Sequence, residues 1–401
     1  MQTNWTKLRL LAAAGAISWM GSTLTTFTVV LRYKDEFGPS GVSAIMLSMI
    51  LPTILAAPYG GVLADRFNSG KLIPTLLTIM GLSTFMLSLD LGFAWSLAFL
   101  AITAACGTPV GAAFNATLPE YSTPDDLPRV NGLMQTGSSL GAMLGPGVAG
   151  FLVSTTDSYA WPFRIDAISF LILAAAIVAL RINRAPQPHE EGEKMRSLDG
   201  LKTIMSNPLV RALVILIAMI ILAMSVINIG EVFLVMNILK ADAFTYGIVS
   251  ATFALGSVLG AVTTSMLKVP EKRHAPIVVL ALLVLSTITL GLAFAWHWVV
   301  VAIAWFIAGM FNAALNAYGI SLIMNRIPEA TRGRVMASVG ALFSASSVAG
   351  MGIAGILIAA FGIRAVLGFA GVFCLGMIVL LSPAVFKANN REQEQEPALV
   401  D

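Results

Sequence analysis

Charged residues are scarce in this 401-residue sequence. Lysine, arginine, aspartate and glutamate make up 11% of the chain, whereas a soluble globular domain carries about 25%. Cysteine is rarer still, and its two copies, Cys106 and Cys374, lie inside apolar runs. We therefore predict no disulfide framework, no metal site and no cofactor. The three histidines lie between the apolar runs, and no nucleophile–histidine pattern indicates an integral-membrane enzyme.

Long apolar runs fill the chain instead, since 57% of the residues are hydrophobic. A helix needs about 20 apolar residues to cross a bilayer. The runs are longer than barrel strands and do not alternate in polarity. The predicted fold class is an all-α membrane protein with twelve transmembrane helices in two six-helix halves. These spans lie near 8–31, 42–64, 72–92, 94–118, 131–154, 160–182, 209–239, 244–267, 275–295, 298–323, 335–360 and 363–386.

The basic residues follow this topology. With a cytoplasmic N-terminus, nineteen lysines and arginines fall in inner segments and five in outer segments, which is a positive-inside pattern. Both termini are therefore predicted to be cytoplasmic, in a multi-pass protein of a bacterial inner membrane. The basic residues form no single patch, so no nucleic-acid partner is expected. We expect a monomer surrounded by lipid.

The longest polar stretch separates six spans from six. In its second part, Leu198, Leu201 and Met205 follow Met195 at helical spacing. The spacing fits a short amphipathic helix on the inner leaflet, and a solvated linker with one helical turn is the alternative. The predicted division is an N-terminal bundle, a cytoplasmic linker, a C-terminal bundle and a cytoplasmic tail, at 1–182, 183–208, 209–386 and 387–401.

The two halves resemble each other. Residues 129–153 align without a gap on 334–358, so that Gly145 meets Gly350 and an Arg-Val pair is shared. Span five thus matches span eleven. A repeat of one polarity per six spans is typical of transporters whose halves rock about a central site.

The loop after span two reads GVLADRFNSGK. With the twelve spans and the repeat, it resembles the major facilitator superfamily, whose signature there is Gly-x-Leu-Ala-Asp-Arg-x-Gly-Arg-Lys. Asn68 stands where the signature has glycine, and Ser69-Gly70 replaces its basic pair. The stretches WPFRIDAISFLI and PEATRGRVMAS are similar to the branch of macrolide-efflux proteins and enterobactin exporters. The signature positions that agree are Gly61, Leu63, Ala64, Asp65 and Arg66.

The resemblance implies an inner-gate latch. In this family the acid of the loop is thought to sit beside the start of span eleven, here preceded by Arg332 and Arg334. A carboxylate gains free energy beside a helix N-terminus, so Gly61, Asp65 and Arg66 would hold the cytoplasmic side closed. A charged loop that only sets topology is the alternative.

Span five contains GAMLGPGVAG, from Gly141 to Gly150. It resembles a glycine-proline element of the superfamily's exporters. Small residues at every fourth position allow close helix approach, and Pro146 would bend the helix. Ordinary packing of Gly141, Gly145 and Gly150 is the alternative.

Carboxyl groups inside spans are candidates for proton coupling. Glu231 lies deepest, with Asn228 three positions earlier on the same face, and a packing role is its alternative. Asp166 lies beside Arg164, so it is either a second titrating site or half of a structural ion pair.

The predicted function is alternating-access, proton-coupled efflux of small amphiphilic compounds such as drugs or siderophores. A lipid or lysophospholipid transporter of the same fold is one alternative, and a membrane receptor or channel is another. Methionine and aromatic surfaces adapt to varied shapes. Candidate cavity residues are Trp19, Phe27, Met224, Asn228, Trp305, Asn312 and Asn316.

Overall fold

A computed structural model describes residues 3–186, 197–267, 269–327 and 329–395. Across these ranges the chain is helical and contains no strand. Met195, most of the polar stretch before it and the last six residues of the predicted tail lie outside the described residues. The helices are α1 (Trp5–Arg66), α2 (Ser69–Leu87), α3 (Phe93–Thr117), α4 (Leu127–Thr156), α5 (Ala160–Ala179), α6 (Ser197–Ser206), α7 (Pro208–Val232), α8 (Ala243–Met266), α9 (His274–Leu292), α10 (Trp298–Met324), α11 (Glu329–Phe361) and α12 (Ile363–Gln395).

Eleven of the helices in the described ranges are long and apolar enough to cross a membrane. Each predicted span falls on one of them, and the first two spans share α1, which has 62 residues. At about 1.5 Å per residue, a straight helix of that length would be roughly three times as long as a bilayer core is thick. The element is two helices that meet at a kink.

The kink lies at Gly38, whose φ of 60° and ψ of −160° are non-helical. Glycine tolerates this conformation because it has no Cβ, and Pro39 is preorganised for the first position of the helix that follows. The predicted spans one and two end and begin near residues 31 and 42, and the structure extends both helices beyond these bounds to Gly38. One glycine makes the turn, and the residues on either side stay helical.

Helix α7 does not end at Val232 in an ordinary loop. It continues as a π-helical turn, Phe233–Ile238, in which three residues are buried. Such turns are rare and occur frequently at functional sites. The turn begins two residues after Glu231.

The chain divides into two compact units. Unit 1 comprises Met1–Glu191 and Lys240–Ala251, and unit 2 comprises Gly192–Leu239 and Thr252–Asp401. In unit 1, α1 packs against α3, α4 and α5, and α2 packs against α3 and α5. In unit 2, α7 packs against α11 and α12, and α9 packs against α10 and α12. The domain boundaries predicted from the sequence stay a prediction.

Glycine allows α4 to lie close to α1 within unit 1. A methyl group at Gly141 would lie 2.7 Å from the carbonyl oxygen of Ala16, and one at Gly145 would collide with the side chain of Thr23. Real Cβ atoms do not approach other atoms so closely, so any larger residue would separate the helices. The same feature recurs in unit 2, where a methyl group at Gly350 of α11 would collide with the carbonyl oxygen of Leu222 in α7.

The polar stretch ends in α6, which belongs to unit 2. Ile204 is buried in a cluster with residues of α7, α10 and α11. Leu201 and Met205, which the sequence places on the apolar face, are 43% and 48% exposed. Helix α6 therefore packs against its own unit through Ile204 and leaves two apolar side chains uncovered by the described residues.

Candidate functional site

A cavity of about 1020 Å³ lies within unit 1, lined by residues of α1 to α5. Trp19 of α1 lies on its wall and is 56% exposed. The volume is at the upper end of the range for small-molecule sites, about 300–1,000 Å³. The cavity is therefore large enough for a drug-sized compound.

Asp166 of α5 lies at the wall of this cavity and is 1% exposed. The hydroxyl of Thr25 in α1 donates a hydrogen bond of 2.6 Å to its Oδ2. The hydroxyl of Ser169, one turn further along α5, lies 3.3 Å from its Oδ1 and donates to the backbone carbonyl oxygen of Asp166 at 2.7 Å. Thr25 is therefore the donor that holds the carboxyl group.

The ion pair that the sequence suggested between Asp166 and Arg164 is not formed. The guanidinium of Arg164 lies over the ring of Trp161, 5.4 Å from its centroid. Two residues apart, side chains on a helix point to different faces. Asp166 is therefore a buried acid that accepts from Thr25 and forms no ion pair with Arg164.

Phe27 lies elsewhere in unit 1. It is 6% exposed and stacks on Tyr246, with 4.5 Å between ring centroids and 21° between ring planes. It is not among the residues that line the cavity. Phe27 therefore packs against the segment 240–251.

In unit 2 the structure brings together two residues that the sequence singled out. The indole Nε1 of Trp305 in α10 donates a hydrogen bond of 2.8 Å to Oε1 of Glu231. Trp305 is 6% exposed and also makes an edge-to-face contact with Phe253, at 5.8 Å between centroids. The carboxyl group of Glu231 is thus fixed by a donor that carries no charge.

The other candidates of unit 2 do not form one cluster with this pair. Met224 packs against the core of the unit, and Asn228 is exposed. On α10, Asn316 donates bonds of 2.9 Å and 3.1 Å to the backbone and side-chain oxygens of Asn312. These polar residues are part of helix surfaces within unit 2.

The carboxyl group of Asp65 has a partner inside unit 1. Arg184, just beyond α5, lies with Nη1 3.1 Å from Oδ1 of Asp65. The backbone of Arg184 also exchanges bonds with Ser69, donating to its Oγ at 2.7 Å and accepting from its N–H at 3.2 Å. The segment that leads out of α5 is therefore tied to the loop between α1 and α2.

The remaining gate residues are divided between the units. Gly61 and Arg66 are exposed in unit 1. Arg332 donates to the carbonyl oxygens of Met324 and Ile327 within unit 2, at 3.1 Å and 3.2 Å, and Arg334 is exposed. The latch stays a prediction.

The glycine-proline element of α4 has two neighbours in unit 1. Gly141 and Gly145 face α1, whereas Gly150 and Pro146 face the first turns of α8. A methyl group at Gly150 would collide with the carbonyl oxygen of Ala243, and one at Gly247 would collide with that of Pro146. The element therefore packs closely on both sides, and the predicted effect of Pro146 on transport stays a prediction.

Sequence reasoning missed Thr25, Ser169 and Arg184. Ser169 carried a local signal, because it lies one turn from Asp166 on the same helix face. Thr25 and Arg184 are distant in sequence from the acids that they contact, so no local pattern identified them. The described residues contain no group of three or more histidine, cysteine, aspartate or glutamate side chains that could hold a metal ion.

Comparison with known families gives one match that spans almost the whole chain. The sequence profile of the Major Facilitator Superfamily matches residues 11–268 and 213–400. The two matches overlap and together extend from α1 into the residues beyond α12.

Individual relatives are similar to this chain at low sequence identity. The multidrug efflux pump Tap of Mycobacterium tuberculosis is 24% identical over 404 aligned positions, which cover 94% of this chain and 92% of Tap. The enterobactin exporter EntS of Escherichia coli is 26% identical, over 80% of this chain and 78% of EntS. The crystal structure of the nucleoside transporter NupG superposes with a TM-score of 0.74 at 14% identity, over 95% of this chain and 98% of NupG. At that identity the last likeness concerns the fold alone.

Proposed function

The chain belongs to the major facilitator superfamily and is a multi-pass membrane transporter rather than an enzyme. On that premise we propose that it is a secondary active exporter of small amphiphilic compounds, driven by inward proton flow. The observation that carries this proposal is the cavity of unit 1, whose wall holds the buried acid Asp166 with Thr25 as its hydroxyl donor.

The proposed architecture has twelve spans, because the kink at Gly38 divides α1 into two helices that are each long enough to cross a bilayer. The excess of basic residues in alternate loops favours cytoplasmic termini and a bacterial inner membrane. We propose a monomer with one bundle on either side of the linker. Leu201 and Met205, uncovered on α6, would contact lipid at the inner leaflet.

The proposed substrates are compounds such as drugs or siderophores. Two relatives that align along most of the chain carry the names multidrug efflux pump and enterobactin exporter. The cavity is large enough for such compounds, and its wall combines Trp19 with many hydroxyl groups. A mixed wall of this kind suits amphiphilic molecules.

Two carboxyl groups are the proposed proton carriers, one in each unit. A proton-driven exporter needs a group that binds a proton from outside and releases it toward the cytoplasm. Glu231 and Asp166 lie inside predicted spans; Glu231 accepts from the indole of Trp305, and Asp166 accepts from the hydroxyl of Thr25. Ionisable side chains in such positions are costly, so they mark ion pathways more often than packing.

Substrate-dependent proton flux in proteoliposomes tests the coupling, with a fluorescent amphiphilic dye as the transported probe. Glu231→Gln mimics the protonated form, and we expect it to lower dye-dependent proton flux at least tenfold while dye binding stays within about threefold. Glu36→Gln is the control, because Glu36 is an exposed acid near the kink of α1.

Full flux in Glu231→Gln would exclude this residue as the proton carrier. Loss of flux only in Asp166→Asn, at a normal yield of folded protein, would move the role to α5. Dye-induced currents without any dependence on a pH gradient would favour a channel instead. Movement of labelled lipid but not of dye would favour the lipid transporter.

A further inference from the structure

Hydroxyl groups dominate the polar part of the cavity wall in unit 1, and most of them already donate their proton to a protein oxygen. A backbone carbonyl oxygen can only accept a hydrogen bond, so a hydroxyl that contacts one must be the donor. Six cavity hydroxyls make such contacts. They are Ser22 with Ser18 at 3.1 Å, Thr26 with Ser22 at 2.9 Å, Thr53 with Met49 at 2.9 Å, Thr103 with Phe99 at 2.9 Å, Thr108 with Thr53 at 3.4 Å and Ser138 with Gln135 at 2.9 Å.

A hydroxyl group has one proton and two lone pairs. Once the proton is committed to the helix backbone, the lone pairs remain for a bound molecule. These six side chains therefore present acceptors to the cavity and no donor. To donate, each would first have to give up its backbone bond, which contributes about 0.5–1.5 kcal/mol.

The charged side chains of the wall also offer hydrogen-bond acceptors rather than donors. The residues that line the cavity include the carboxyl group of Asp166 and no lysine, arginine or histidine. The hydroxyl of Thr25 donates to that carboxyl group, so its proton is committed as well. Amide side chains, which carry both donors and acceptors, are present only at Asn115, Asn131 and Gln135.

We propose that this cavity selects its ligands by their hydrogen-bond donors. The preferred class is an amphiphile whose head is a primary or secondary ammonium, or a cluster of N–H and O–H groups, and anionic heads are rejected. This inference rests on the proposed function and narrows it: among drugs and siderophores, donor-rich cations fit the wall and polyanions do not. The apolar part of the ligand would lie against Trp19, Met49 and Phe114.

The discrimination has a physical basis in what each head leaves unpaired. A primary ammonium carries three donors and no acceptor, so it complements the hydroxyl lone pairs and the acid. A trimethylammonium head has the same charge and no donor. A sulfonate head has acceptors only and would bury negative charge opposite lone pairs and Asp166, which is costly without a cation.

A matched series of amphiphiles tests this proposal on the full-length protein in lipid nanodiscs. The probes share a naphthylhexyl tail and carry a primary ammonium, trimethylammonium, hydroxyl or sulfonate head. Isothermal titration calorimetry measures the Kd of each. We expect the primary ammonium to bind at least about tenfold more tightly than the trimethylammonium, and the sulfonate to bind most weakly.

Variants that replace a hydroxyl group with a methyl group test whether the wall hydroxyls cause the preference for the primary ammonium. Thr26→Val and Thr53→Val keep the side-chain shape and remove the lone pairs, so the preference for the primary ammonium should fall at least threefold in each. Thr78→Val is the matched control, because Thr78 makes the same kind of bond, to Pro74 at 2.8 Å, but does not line the cavity.

Several outcomes would overturn the inference. Equal affinity for the two cations would exclude donor recognition, and tight sulfonate binding would exclude the charge argument. Absence of binding by every probe, or an unchanged preference in both valine variants, would also overturn it. Proteoliposome export is judged separately: export of both cations without discrimination would sink only this inference, whereas donor-selective binding without any export would sink only the proposed function.

Discussion

Gly145 and Gly350 occupy matched positions of the internal repeat and solve the same packing problem. Gly145 brings α4 against residues 20–23 of α1, and Gly350 brings α11 against residues 222–225 of α7. Close approach of helix backbones is a common way to stabilise helix pairs in a membrane, where lipid supplies no hydrophobic driving force between helices. The repeat therefore preserves a contact as well as a sequence pattern.

Alanine at either glycine should force the helices apart. We expect Gly145→Ala and Gly350→Ala each to destabilise the protein by about 1–3 kcal/mol, the usual cost of overpacking. Gly147→Ala in α4 and Gly340→Ala in α11 are the controls, since a methyl group there meets nothing within 4 Å. Thermal unfolding in one detergent compares the four, and equal midpoints for test and control variants would contradict the packing argument.

The candidate acids show which features of the site can be predicted from the sequence and which cannot. Apolar length predicted each helix that is long and apolar enough to cross a membrane, because the bilayer imposes that length locally on each run. The partner of each candidate acid depends on which helices pack together, which is a property of the fold. Thus Glu231 and Asp166 were identified as candidates, whereas Thr25 as the donor to Asp166 was not.

At the scale of elements, the segment after α5 and the loop between α1 and α2 form one assembly. Ser69 and Arg184 exchange two hydrogen bonds, and the guanidinium of Arg184 lies beside Asp65. The Arg184 side chain is 15% exposed and that of Asp65 is 33% exposed. A partly exposed pair of this kind contributes little to global stability. Its effect is to orient the carboxyl group of Asp65 in the loop between α1 and α2.

Two substitutions distinguish the predicted latch from the ion pair between Asp65 and Arg184. Asp65→Asn weakens both interactions, whereas Arg184→Gln weakens only the pair. If the latch exists, Asp65→Asn should raise the labelling rate of a cysteine at Asn131, on the cavity wall, by at least fivefold, since coupling energies of 1–3 kcal/mol shift populations some 5–150-fold. Arg184→Gln should change that rate less than twofold.

Labelling by a membrane-impermeant thiol reagent applied from the cytoplasmic side, in a background without Cys106 and Cys374, gives the rates. An equal rise in both variants would assign the effect to the pair with Arg184. An unchanged labelling rate in both variants would mean that the loop between α1 and α2 has a role in topology alone.

At the scale of the whole molecule, residues near both ends of the first segment of unit 1 contact Tyr121. Asn4 donates through its backbone N–H to the carbonyl oxygen of Tyr121 at 3.1 Å. Asn183 donates through its backbone N–H to the hydroxyl oxygen of Tyr121 at 2.8 Å. Thr3 adds a bond of 2.6 Å from its hydroxyl to Asp126.

The contacts of Thr3 with Asp126 and of Asn4 with Tyr121, called the anchor below, should depend on pH. The hydrogen bond from Thr3 holds the pKa of the Asp126 carboxyl below its usual value. The contribution of the anchor is therefore complete above the unfolded value, about 3.9, and is lost as the pH falls through the lowered folded value. In the wild type, hydrogen-exchange protection factors for Thr3 to Leu8 should begin to fall once the pH drops below the unfolded value, about 3.9.

Thr3→Val should show low protection at every pH, because the carboxyl group has lost its main donor. Asp125→Asn, which changes an exposed neighbouring acid, should keep the wild-type profile. Protection in Thr3→Val that matches the wild type at pH 7 would show that the backbone bond of Asn4 anchors the segment alone.

The meeting of residues 4 and 183 at Tyr121 has a consequence for protein engineering. A polypeptide whose two ends contact one residue can be rejoined there and opened elsewhere. Unit 1 is thus a candidate for circular permutation, with a short glycine-serine bridge from Asn183 to Asn4 and a new opening at Gly38, where the helix is already interrupted.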